Sequence, residues 1–112
     1  MRKSLSLMLA VALLGVLAAT ALAATKAVKV GDDYYVRSSG VPTVTVLKGT
    51  TVKWNFVGDS AHNVVVKKGP VKFQSPVRSS GSYSRRMGRR GTYTIICTIH
   101  GAANQSMKLV VK

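Results

Sequence analysis

Gly91-Thr92-Tyr93-Thr94-Ile95-Ile96-Cys97-Thr98-Ile99-His100 is the stretch on which the fold turns. Tyr93, Ile95 and Cys97 occupy alternate positions, the period of a strand with one buried face. Working outward, Met107, Leu109 and Val111 repeat the pattern, as do Val44 with Val46 and Val52 with Trp54 and Phe56. His62, Val64 and Val66 form another set, opposite Asn63 and Lys67. Turn residues punctuate the runs at Gly31-Asp32, Ser39-Gly40, Gly49, Gly58-Asp59, Gly69-Pro70, Ser80-Gly81 and Gly88. No segment after residue 25 carries a helical period. The pattern predicts an all-β protein, an antiparallel Greek-key β-sandwich of seven to eight strands. The irregular stretch from Lys67 to Ser80 is expected to cross between the sheets.

Composition narrows the chemistry. Among 112 residues there are 17 Lys or Arg, three acids and one cysteine, for a net charge of +14. Asp32, Asp33 and Asp59 are the only carboxylates. Adjacent residues of an extended segment point to opposite sides, so Asp32 and Asp33 are not expected to work as a pair. Calcium and magnesium sites, which need several carboxylates, are excluded on the same count. A lone Cys97 forms no internal disulfide, so its role rests on its chemistry or its burial.

The first residues are a different material. Arg2 and Lys3 precede an apolar run from Leu5 to Ala19, and Ala21-Leu22-Ala23 gives a small-residue cleavage pattern. This is the layout of a secretory signal peptide over residues 1–23, with the mature domain spanning 24–112. Uncleaved, Leu5 to Ala24 is long enough to span a bilayer. Removing the leader takes away Arg2 and Lys3 and no acid, so the net charge falls from +14 to +12. The protein is therefore expected outside the cytoplasm, periplasmic or extracellular, or membrane-associated where the leader is retained. A small exported domain commonly carries disulfides, whereas this one keeps a single thiol.

That thiol has company. His62 starts a strand pattern after a turn, Cys97 ends another, and His100 follows three residues on. A strand-end cysteine and a loop histidine at that spacing can converge on one ion, and a ligand from a neighbouring strand completes a trigonal plane. Two imidazoles and a thiolate, with one weak axial donor near residues 105 to 107, make the set of a blue-copper electron-transfer site. Each residue alone has a plainer reading: a structural histidine, a solvated loop histidine, a small buried hydrophobe. Met87, Trp54, Tyr83 and Tyr93 read as packing residues.

Three stretches together resemble the plastocyanin and amicyanin-like branch of the cupredoxins. They are Val46 to Trp54 (VLKGTTVKW), Ala61-His62-Asn63-Val64-Val65, and the opening stretch from Gly91 to His100. The resemblance implies one copper cycling between Cu(I) and Cu(II), with His62, Cys97 and His100 as equatorial ligands. It implies that Asn63 helps fix the loop carrying Cys97. The family commonly places an axial methionine five residues beyond the second histidine, and here that position is Gln105. A glutamine oxygen can serve as the weak axial ligand. Met107 is the alternative, although its parity with Leu109 and Val111 makes it the first inward residue of the last strand.

The functional expectation is an electron carrier without enzymatic turnover, and the alternative is a copper carrier or buffer. Hydrolysis by a Cys–His pair is disfavoured because Cys97 ends an apolar strand and neither histidine is expected to have a nearby carboxylate to orient it. The run Arg85-Arg86-Met87-Gly88-Arg89-Arg90 suggests docking to an acidic redox protein, an anionic membrane or a cell-wall polymer. It lacks the aromatic interleaving of a nucleic-acid surface. Gly101-Ala102-Ala103 would leave the edge of His100 accessible in a flat patch. No oligomer is signalled, so a monomer is expected.

Overall fold

The computed structural model describes residues 24–38 and 40–112; the proposed leader lies outside them. Among these residues eight strands form, in the order β1 (Thr25–Gly31), β2 (Tyr34–Tyr35), β3 (Thr43–Val46), β4 (Thr51–Phe56), β5 (Val65–Lys68), β6 (Ser82–Arg86), β7 (Gly91–Ile96) and β8 (Ser106–Val111). No helix occurs among the described residues. The strands make two four-stranded sheets, ordered β2-β1-β4-β6 and β3-β8-β7-β5.

Alternation decides which side chains face inward. On β4, Val52, Trp54 and Phe56 are buried while Lys53 is exposed, and on β8 Met107, Leu109 and Val111 are buried while Lys108 is exposed. The inner faces of the two sheets close on each other around Trp54, Tyr35, Tyr93 and Ile95, all without solvent exposure. Phe73 from the irregular segment packs against Trp54 and Tyr93, with ring centroids 6.1 and 6.4 Å apart. Lys67 to Ser80 does connect the sheets, leaving β5 in one and delivering the chain to β6 in the other.

The pairing is mixed rather than wholly antiparallel. β1 runs parallel to β4, and β3 runs parallel to β8. Both parallel pairs join strands whose connections leave the sheet, since a tight hairpin can join only antiparallel neighbours. β7 and β8 form such a hairpin, with Ile96 opposite Ser106, so residues 97–105 become the loop at one end of the sandwich. β1 runs toward the same end and delivers the turn Asp32-Asp33 there.

The segment around His62 departs from the expected continuous strand. β5 begins only at Val65, while His62 makes an isolated bridge to Arg78, with N–H donating to O in both directions at 2.9 and 2.8 Å. Residues 62–64 are therefore buried in succession rather than alternately. Asn63 turns inward instead of out.

Candidate metal centre

Three elements meet at this end of the sandwich. β7 carries Cys97 just past its last residue, the loop that follows carries His100 and Gln105, and the bridged segment before β5 carries His62. The loop is wound by Gly101 N–H donating to Cys97 O (2.9 Å) and Gln105 N–H to Gly101 O (3.0 Å). Gly101 sits at φ +82°, a left-handed conformation that costs a β-carbon-bearing residue about 1–2 kcal/mol. This winding brings His100 back over Cys97. Its Nδ1 lies 3.5 Å from Cys97 Sγ, and His62 Nδ1 lies 3.9 Å from the same sulfur. The three donor atoms all lie within 4.8 Å of one another. Donors so spaced can share one ion at about 2.0–2.3 Å from each. A thiolate with two imidazoles is also the donor set that suits copper.

Asn63 holds this loop from the other side. Its Nδ2 donates to Thr98 Oγ1 at 2.7 Å and its Oδ1 accepts from Thr98 N–H at 2.9 Å. Tyr35 Oη donates to the Asn63 carbonyl at 2.6 Å, locking the same segment to β2. Burial, with the Cys97 sulfur's charge adding to it, pushes the Tyr35 phenol far above its ordinary range.

The two axial candidates separate cleanly. Met107 lies in β8 opposite Ile95, fully buried among core side chains. Gln105 instead places Oε1 2.9 Å from His62 Nδ1. Its amide orientation follows from its neighbours: Nε2 donates to the carbonyls of Gly31 and Tyr34, both at 2.9 Å. With both N–H groups so engaged, the oxygen is the atom that faces the histidine.

Two carboxylates that were not expected to act together both reach this site. Asp32 Oδ1 accepts from His62 Nε2 at 2.9 Å, and Asp33 Oδ1 lies 3.7 Å from His100 Nε2. The expectation that these neighbours would point apart assumed an extended segment, and they lie in the β1–β2 turn, with Asp33 at φ +63°. The expectation that neither histidine has a carboxylate to orient it is thereby corrected. Thirty residues of sequence separate Asp32 from His62, so only the parallel pairing of β1 with β4 reveals the contact. Asp32 also accepts from the backbone N–H groups of Asp59 and Ser60 and from Ser60 Oγ. The Asp59 N–H, then His62 and the Ser60 donors hold its carboxyl well below the usual range. A Cys–His–Asp grouping invites the hydrolase reading again. Cys97 is without solvent exposure, however, so its sulfur is closed to a substrate carbonyl.

Known proteins share both the chain's pattern and its shape. The family profile of copper binding proteins, plastocyanin/azurin family, matches residues 26–112. A plastocyanin of Prochlorothrix hollandica is 33% identical over 103 residues, spanning 85% of this chain and 79% of its own. A plastocyanin of Dryopteris crassirhizoma is 29% identical over 100 residues, spanning 76% and 98%. Among solved structures, a methionine-to-glutamine mutant of amicyanin in its Cu(I) form aligns with a TM-score of 0.63 at 26% identity, covering 79% of this chain and 82% of that one. Sandwich, converging donors and matched sequence agree, and the chain belongs to the plastocyanin/azurin family of copper-binding proteins.

Proposed function

We propose that this protein is an exported one-electron carrier whose copper is held by His62, Cys97 and His100, with the Gln105 amide oxygen as axial donor. The observation that carries the reading is the convergence of both histidine Nδ1 atoms on the buried Cys97 sulfur, with Gln105 Oε1 beside His62. Copper supplies the one-electron couple. The chain supplies the rest. Cys97 and His62 are sealed from water, and the Asn63–Thr98 pair holds the Cys97 loop in place. His100, whose side chain is 25% exposed, is the ligand through which electrons reach a partner.

The surface suits such a partner. Exposed Val57, Val77 and Ile99 lie in the connections at the site end and offer apolar contact there. Arg85 to Arg90 lie at the opposite end, because β7 carries the chain from Gly91 at that end up to Ile96 beside the site. Six strand residues place the two features about 20 Å apart. The basic end steers the protein toward acidic redox partners, and it works as a monomer. Export rests on residues 1–23, cleaved after Ala23.

Copper delivery is the competing reading, and the sealed Cys97 and His62 favour retention over release. The test is Cu(II) added to the purified protein. An intense visible thiolate-to-copper band, lost in Cys97→Ser, together with reversible voltammetry and slow loss to a chelator, supports the carrier. A folded protein with reduced Cys97 and no such band refutes it, and rapid surrender of copper to the chelator favours delivery. N-terminal sequencing of the exported protein checks the cleavage after Ala23.

A further inference from the structure

A chain so poor in acids spends two of its three carboxylates on the outer nitrogens of the site's histidines. We propose that Asp32 is a positioning residue that orients His62 and biases the site toward oxidised copper. The inference rests on the copper reading above.

Asp32 Oδ1 is 2.9 Å from His62 Nε2, and an ionised carboxylate is an acceptor only, so Nε2 carries the proton. Nδ1 is then the ring nitrogen left facing Cys97 Sγ and Gln105 Oε1, at 3.9 and 2.9 Å, where copper would be held. Asp32 is itself fixed by Asp59 N–H at 3.0 Å, Ser60 N–H at 3.1 Å and Ser60 Oγ at 2.8 Å, so it acts as a rigid stop. Ser60 Oγ lies 3.2 Å from the same Nε2 and closes the ring's outer edge. A carboxylate on the outer N–H of a ligating imidazole raises its basicity, and losing such a partner typically costs about 10–100-fold in metal affinity. The more basic ligand, and the negative charge behind it, favour the higher-charged ion. Asp33 reaches His100 only at 3.7 Å and is itself well exposed, so its effect on the site is the smaller.

Asp32→Asn, Asp32→Ala and Asp59→Asn separate the possibilities. Asparagine keeps an acceptor oxygen and removes the charge, alanine removes both, and Asp59 carries a charge at the same end that touches neither histidine through its side chain. The expected results are a Cu(II) affinity about 10–100-fold lower in Asp32→Ala, Cu(I) affinity falling less, and a raised reduction potential in both Asp32 variants. Each tenfold difference between the two affinities reads as about 59 mV. A readout without copper is nitrogen-15 NMR of the metal-free protein, in which His62 Nε2–H is expected to be protected from exchange in wild type and Asp32→Asn, and lost in Asp32→Ala. Equal shifts in Asp32→Asn and Asp59→Asn would reduce the effect to general charge and overturn the proposal. So would an unprotected Nε2–H in wild type, or an Asp32→Ala potential equal to wild type in a folded, copper-binding protein. A wild type that binds no copper while its Nε2–H is protected would defeat the copper reading and leave the orientation of His62 standing.

Discussion

At the scale of single residues, the axial position separates two donors that look alike in sequence. Gln105 and Met107 are both buried, but only the glutamine turns its oxygen to His62, because two backbone carbonyls engage its amide nitrogen. Gln105→Met is expected to raise the reduction potential by more than about 59 mV, a tenfold change for a one-electron couple. Met107→Leu is expected to leave the potential unchanged and to cost under about 1.5 kcal/mol, as a volume-conserving core swap does. An unmoved potential in Gln105→Met rules Gln105 out. Tyr35 marks a different sensitivity. Its folded phenol is held protonated above the ordinary value of 10.0, so the unfolded chain binds fewer protons once pH exceeds that value. The stability is fully present below pH 10 and is lost as pH rises further. Tyr35→Phe is expected to cost about 1 kcal/mol at neutral pH through its lost bond to Asn63. Its unfolding free energy should then decline less steeply in alkali, by up to about 1.4 kcal/mol per pH unit. Parallel alkaline limbs in denaturant titrations would refute the assignment.

At the scale of elements, the site depends on how two connections are pinned. Gly91 opens β7 at φ +144°, and a Cβ there would run into Pro70 Cγ. Gly91→Ala is expected to cost about 2–4 kcal/mol, from backbone strain and overpacking together. Thermal unfolding checks it, and a Tm within a degree of wild type would refute it. Asn63 clamps the loop beyond the other end of β7. Asn63→Ala removes both bonds to Thr98 and leaves a backbone N–H without its partner, so a loss of about 2 kcal/mol is expected. Amide exchange should quicken at Thr98 and Gly101 rather than along β8. Alternation in the sequence located β4, β7 and β8 closely, because one face of each is buried and a period of two records that directly. It misjudged residues 62–64, since an isolated bridge to Arg78 holds them and burial there does not alternate.

At the scale of the whole molecule, charge and site are set at opposite ends. The three acids lie in the β1–β2 and β4–β5 connections beside the histidines, while Arg85, Arg86, Arg89 and Arg90 lie on β6 and the β6–β7 turn. Association with an acidic partner is expected to slow on the order of tenfold from low to high salt, as screening shortens the reach of these charges. Arg89→Glu with Arg90→Glu should lower the association rate and leave the visible spectrum alone. Rates independent of ionic strength in stopped flow would refute steering. By itself the sequence determined the sandwich, the single thiol and the His62, Cys97 and His100 set, because strand period and ligand type are local properties of the chain. Which glutamine atom faces the site, that two sheet pairs run parallel, and that Asp32 and Asp33 reach the histidines were decided only by tertiary structure. Each depends on a partner at least 26 residues away, brought near by sheet pairing that no local pattern encodes.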